Sequence, residues 1–532
     1  MKETLRQSMA WLHTWSGLLF GWLIFAMFMT GTASYFRPEI TRWMQPETGK
    51  PATLAVAAAN AEAHLLKVAP KARSWTINLP DDRESVTRVS WRPLPKPGER
   101  EGRGPRGRGF GRGNSAELDA ATGAIVKPRQ TRGGDFFFRM HYQMHYIPAL
   151  YGEWLAGAAA MLMLAAIISG VITHKRIFAD FFTFRPKKAA QRSWLDAHNL
   201  TAVLALPFHL MITYTGLVML MPTLMPWGIS ANFPTEQAYY AAMFPRYKMP
   251  ERTGEAAPLI SIPQAIARAE QVWGGGRPSM IMVENPGDRA ARVSVVRHSG
   301  DQLAYDGGLL LFDGVTGALL AAPPEHGPAV VTNHVMFGLH MGRFSAPVLR
   351  WFYFLASLAG CAMVATGLVL WTVKRRKNLP DPARPNFGFR LVERLNIATI
   401  AGVPAGMAAV LWVNRLLPAE MRGRATWEMH SFFIVWAFVI VYVCLRPVRR
   451  AWVEGLALAA ALVAALPLVS AITTPERSLL HSLMTGDMGM VAFDLTLVAL
   501  GLCLAFSAYK AGAYKPTVRQ PRRRAVEAKA AA

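Results

Sequence analysis

The chain has 532 residues, 52% of them hydrophobic, and a formal net charge of +24. With 16 Trp, 27 Phe and 26 Met and a mean hydropathy of +0.19, it has a membrane-protein composition, although two long segments are too polar to lie in lipid. The charge does not point to nucleic acid: Lys2 and Arg6, Lys175 to Arg192, Lys374 to Lys377, Arg446 to Arg450 and Arg519 to Arg524 flank apolar runs, as cytoplasmic anchors do.

The three cysteines, Cys361, Cys444 and Cys503, each fall inside an apolar run. With no CxxC or CxxCH, the sequence supports no iron–sulfur cluster, thioredoxin-like motif, disulfide framework or covalently attached haem. The first apolar run has a charged start but no small-residue cleavage site, and reads as a retained span.

A span needs about 20 apolar residues. Eight candidates follow in order, at 14–36, 149–173, 199–222, 348–373, 396–417, 428–446, 452–472 and 488–508. With the N-terminus inside, every short basic loop is cytoplasmic, as are both termini, and the two long loops lie on the other face. The chain thus divides into an N-terminus and first span (1–36), an outer α+β domain (37–140), spans two and three with a basic loop (141–222), and a second outer α+β domain (223–347). Span four (348–377), four further spans (395–510) and a basic tail (511–532) complete it. In the outer domains LAVAAANAEAHLLKVAP and SIPQAIARAEQVW read as helices, and WTINL, SVTRVSW, IMVEN, RVSVVRH and LLLFD as strands. A Gly/Arg/Pro tract at 96–113 is too poor in apolar residues to fold and reads as a flexible insertion.

The chain repeats itself. Thr122-Gly123 and Thr316-Gly317 close matching turns 194 residues apart. Thr30-Gly31 and Thr215-Gly216 are 185 apart, and the same offset carries His13 onto His198. Ser169-Gly170 corresponds to Thr366-Gly367, and Met144-His145 to Leu339-His340. Each half is therefore span, outer domain, span.

The ordered series HTWSGLLFGW, FFFRMHYQMHY, SGVITHKRIFADFFTFRP, WLDAHN, LPFHLMITYTGL, LFDGVTG, GLHMGRF and ATGLVLWTVKRR, within residues 8–377, resembles the PepSY-associated transmembrane-helix family, whose members include iron-regulated ferric-siderophore reductases. The resemblance implies a mostly α-helical, multi-pass protein of the bacterial inner membrane, with two periplasmic PepSY-like domains. It also implies b-type haem and electron transfer to periplasmic ferric chelates. The Gly/Arg insertion and the last four spans lie outside it.

Haem b is held by axial imidazoles presented from two helices across a gap lined by small residues. His13, Gly17 and Gly21 share one face of the first span, and His198, Ala202, Ala205 and His209 one stripe of the third. The repeat pairs His13 with His198 as a cytoplasmic-side site, and His145 with His340 as a second site near the periplasm. His209 is an alternative ligand or a contact to the haem edge, His174 a rival partner on the inner side, and His141 and His334 further candidates on the outer side. With no Gly-rich nucleotide fingerprint, the donor is expected to be a separate cytoplasmic molecule or a quinol. Two other readings stand beside the reductase. One is a carrier or sensor binding Cu or Zn through its outer histidines; the other is a membrane-anchored regulator of a periplasmic protease, which would have no use for buried histidines.

Overall fold

The computed structural model describes residues 3–49, 52–94, 114–174, 185, 189–243, 247–304, 308–323, 325–382 and 384–514. The 96–113 insertion, most of the basic loop after His174 and the tail beyond 514 lie outside the described residues.

The first apolar run forms two helices, α1 (Glu3–Leu19) and α2 (Gly21–Ser34), bent by 64° at Phe20. A single straight span at 14–36 is not what forms: Gly17 and Gly21 weaken the helix where it breaks. Next come α3 (Arg37–Met44) and α4 (Leu54–Val68), then α5 (Asp135–Tyr142) and the long α6 (Ala149–Thr173). The third span is likewise broken, into α7 (Ala190–Leu204) and α8 (Leu206–Leu224). Here Pro207, which has no N–H to donate, starts a new helix. Two short helices, α9 (Trp227–Asn232) and α10 (Glu236–Met243), lead to α11 (Ile262–Trp273), α12 (Pro328–Met341) and the long α13 (Pro347–Arg376).

The remaining helices are α14 (Phe387–Ile400), α15 (Gly402–Leu416), α16 (Arg424–Leu445), α17 (Val448–Ala464), α18 (Leu466–Thr473), α19 (Leu479–Met484) and α20 (Met488–Ala513). Among the described residues seven stretches are long and apolar enough to cross a membrane, or eight if the bent α1–α2 pair counts as one. The protein is a multi-pass membrane protein.

The helices of residues 3–376 pack in two similar sets. In the first, α1 lies on α6 and α2 on α5; in the second, α7 lies on α13 and α8 on α12. The sets join where α2 meets α13 and α6 meets α8.

On one side of these helices the two polar segments form one antiparallel sheet. Its strands are β1 (Ser74–Asn78), β2 (Val86–Arg92), β3 (Asn114–Asp119), β4 (Ile125–Val126), β5 (Pro278–Glu284), β6 (Arg292–Arg297), β7 (Leu309–Asp313) and β8 (Leu319–Ala321). Their spatial order is β4-β3-β2-β1-β5-β6-β7-β8. The sequence reading separates two outer domains; instead β1 and β5 pair directly, Thr76 opposite Met282, and α4 and α11 cover one common core that includes Trp75, Ile77, Ile281 and Val283. The matching turns form as expected. Asp119 Oδ1 accepts from the Ala121 and Thr122 amides, and Asp313 Oδ1 from those of Val315 and Thr316. Gly123 and Gly317 take the left-handed conformation that closes each turn, at φ 69° and 70°.

Ion pairs tie sheet to helices. Arg83, just before β2, reaches Glu39 on α3 at 2.6 Å, and Arg350 on α13 faces the same carboxylate. The carboxyl of Asp81 is held down at about 2: burial alone would raise it, but hydrogen bonds from His298 and from the Arg83 and Glu84 amides outweigh that.

The last four spans are fastened to α3 and to the segment before α5 by buried charge. Glu428 accepts from Thr131 Oγ1 at 2.5 Å and from Asn414 Nδ2 at 2.8 Å, with the fully buried Arg424 beside it. Arg415 lies over the Trp43 ring and donates to the Trp43 carbonyl, while Asp494 accepts from the Trp43 indole N–H. Losing one partner of a buried charge pair costs about 3–5 kcal/mol. Glu428→Ala is therefore expected to lower the thermal midpoint of the detergent-purified protein sharply. An exposed change such as Glu420→Ala should leave it unmoved.

Candidate functional site

Two pairs of imidazoles face each other inside the helical part. His13 on α1 and His198 on α7 have ring centres 6.1 Å apart. His141 on α5 and His340 on α12 are 6.2 Å apart. Each pair takes one histidine from each helical set. The first pair lies towards the C-terminal ends of α6 and α13, away from the sheet; the second lies on the sheet side.

All four rings lean on a glycine of a facing helix, three of them with Nδ1 on a backbone carbonyl. His13 Nδ1–H donates to the Ala166 carbonyl on α6 at 2.8 Å, and His198 to that of Met363 on α13 at 2.9 Å. His141 donates to Met27 on α2 at 2.7 Å, and His340 Nδ1 meets the Thr215 hydroxyl on α8 at 3.1 Å, beside the Ile212 carbonyl that the same hydroxyl contacts. In every case that carbonyl belongs to the residue four positions before a glycine: Gly170, Gly367, Gly31 and Gly216. A Cβ on these glycines would stand 3.1, 3.1, 2.8 and 2.9 Å from the imidazole, so only glycine lets the ring come this close. The hydroxyl residue before each glycine bonds the same carbonyl, as Thr366 Oγ1 does to Met363 at 3.0 Å and Ser169 Oγ to Ala166 at 3.2 Å.

A carbonyl can only accept, and the Thr215 hydroxyl gives its own proton to the Met211 carbonyl, so in each ring Nδ1 carries the proton and Nε2 keeps its lone pair. In none of the four does Nε2 take a hydrogen bond from a described residue. A metal–nitrogen bond of about 2 Å, plus roughly 1.1 Å from Nε2 to the ring centre, sets two imidazoles binding one ion from opposite sides about 6 Å apart. Both pairs have that spacing. One helical turn beyond His13, Gly17 faces open space, with nothing within 4 Å of where its Cβ would be.

The structure changes the expected outer pairing: His141, not His145, faces His340. Helix α5 ends at Tyr142, and Met144, His145 and Tyr146 all take positive φ, at 60°, 42° and 58°. This left-handed turn swings His145 back onto Phe136, where it stacks at 4.8 Å and bonds the Phe136 carbonyl. His174 is no partner of His13; its Nε2 accepts from Asn199 Nδ2 at 2.9 Å. His209 is fully buried between the levels of the two pairs and faces Phe28 rather than another imidazole, its Nε2 donating to the Ala356 carbonyl at 3.2 Å. His334 packs edge-on to His326 at 5.2 Å, away from the second pair.

A cavity of about 2930 Å³ runs between α13 and the last four spans, and Thr366, Thr372 and Asn396 are among its lining residues. It skirts the first pair at Thr366, whose hydroxyl is 3.5 Å from His198 Nδ1. The sequence singles out the four glycine dipeptides as repeats but not as histidine seats; the available signal was that the offset relating Gly31 to Gly216 also relates His13 to His198.

Residues 10–374 match the PepSY-associated TM region. The chain belongs to that family. The family region contains all four facing histidines and all four glycine seats, and ends before the last four spans. An uncharacterised protein of Pseudomonas aeruginosa is similar to this family member, 24% identical over 383 residues that cover 66% of this chain and 89% of its own.

Gly31→Ala should displace the His141 ring, because the added methyl would lie 2.8 Å from Nδ1. Overpacking of this kind costs about 1–3 kcal/mol, and the expected outcome is a lower thermal midpoint. Gly228→Ala, inside helix α9 with nothing within 4 Å, should not lower that midpoint and serves as the comparison in the same melting experiment.

Proposed function

We propose that the protein is a b-type haem reductase of the bacterial inner membrane that moves electrons across the bilayer to ferric chelates, ferric siderophores among them. The observation that carries this reading is the two pairs of facing imidazoles, each ring locked by Nδ1 with Nε2 unbonded. His13 and His198 would hold one haem, His141 and His340 the other. Haem, when bound, supplies one-electron iron chemistry; the chain's residues fix which nitrogen is bare and aim it into the gap. Reduction of a chelated Fe(III) lowers its charge and weakens its hold on hard oxygen ligands, which releases the metal.

The sheet side is assigned to the periplasm because the basic ends Lys374–Lys377 and Arg446–Arg450 lie on the opposite face. The two α+β segments are read as PepSY-like domains, and their matching turns and the matching helix sets as the product of an internal duplication. The donor is a cytoplasmic carrier or a quinol, and the cavity beside Thr366 gives a lipid-soluble quinol a route to the first pair. The substrate class rests on the family resemblance. A Cu or Zn carrier is less well supported: such sites use three or four protein ligands, and among the described residues no group of three or more His, Cys, Asp or Glu could hold an ion.

Protein purified from haem-replete cells should show a reduced-minus-oxidised α band of b-type haem and close to two haems per chain. His13→Ala or His198→Ala should remove one, His141→Ala or His340→Ala the other, and His145→Ala or His174→Ala neither. A colourless preparation that binds Cu or Zn instead sinks the reading.

A further inference from the structure

The two pairs are alike except for one atom near each second-half histidine. His13 and His141 meet only a backbone carbonyl at Nδ1, and the neighbouring hydroxyls of Ser169 and Thr30 bond backbone carbonyls. His340 instead has the Thr215 hydroxyl 3.1 Å from Nδ1. Thr215 Oγ1 commits its own proton to the Met211 carbonyl at 2.8 Å, so towards His340 it can only accept. The corresponding Thr366 stands 3.5 Å from His198 Nδ1, at the outer edge of hydrogen bonding. Thr215 is almost completely buried, so water does not compete for this contact.

We propose that Thr215 is a positioning residue that sets the reduction potential of the sheet-side site through His340; this rests on the haem reading. An acceptor on Nδ1–H makes an imidazole a more basic ligand, and a more basic ligand favours the ferric over the ferrous ion. The Thr215 hydroxyl therefore holds the second site at a lower potential than it would have without that acceptor. The weaker Thr366 contact leaves the first site less affected. A low potential at the sheet-side site suits delivery of an electron to a tightly held Fe(III), whose chelation makes it hard to reduce.

Spectroscopic redox titration of the purified full-length protein tests this. Thr215→Val keeps the side-chain shape and removes the hydroxyl. It should retain both haems while raising one of the two midpoints by about three- to tenfold in the reduction equilibrium, roughly 30–60 mV at 59 mV per decade for one electron. The component that moves should be the one missing in His340→Ala, and Thr215→Ser should restore it. If the valine variant fails to hold haem, Thr215→Ala, which is smaller, takes its place. Unmoved midpoints, a shift in the His198 component, or a serine variant that behaves like valine would overturn the proposal and leave the haem reading standing. A wild-type protein without haem would remove both.

Discussion

A neutral imidazole among apolar helices must give its N–H to something, and the acceptors at hand are helix carbonyls already engaged by their own helix and the hydroxyls beside them. The rings of His13, His198, His141 and His340 meet this constraint in one way, by leaning on a helix where glycine replaces a side chain. For His13, His198 and His141 the carbonyl one turn back then accepts from the imidazole as well as from its own helix, and for His340 the neighbouring Thr215 hydroxyl does so. Much of the helical arrangement serves that contact. The breaks at Phe20 and Ala205 redirect α1 against α6 and α7 against α13, and the short helices α5 and α12 bring the second pair onto α2 and α8. Moving any one of these helices by the width of a methyl group would separate ring from carbonyl.

The sequence made legible what depends on local pattern. Hydropathy located the spans, alternation the strands, and the spacing of Thr-Gly and Ser-Gly dipeptides the correspondence between the halves. The offset that carries His13 onto His198 also names two residues whose rings do face each other. The separate match of Met144-His145 to Leu339-His340 misled, because His141 and His145 lie four residues apart and nothing in FFFRMHYQMHY marks the end of α5 at Tyr142 or the left-handed turn beyond it. The joining of β1 to β5 was equally hidden: both strands have the composition of sheet interiors, and which edge meets which is settled by where the helices deliver them.

The last four spans show the opposite weakness of hydropathy reasoning. Arg415, Arg424, Glu428 and Asp494 register there only as interruptions in apolar runs, yet they form the contact with Trp43 and Thr131. Each is expensive to bury alone and tolerable only when its partner is in place. The resulting attachment is specific in register: sliding α16 by one turn would separate Glu428 from Asn414 and Thr131 together.

The continuous sheet has a mechanical consequence. Proteins that carry solutes by alternating access rock one half of the molecule against the other. Here the halves are stitched on one face by five consecutive residue pairs between β1 and β5, from Ser74–Glu284 to Asn78–Met280, over a hydrophobic core shared by both. Rocking would have to tear that seam on every cycle. The shared sheet and core therefore tie the two helix sets together on that face.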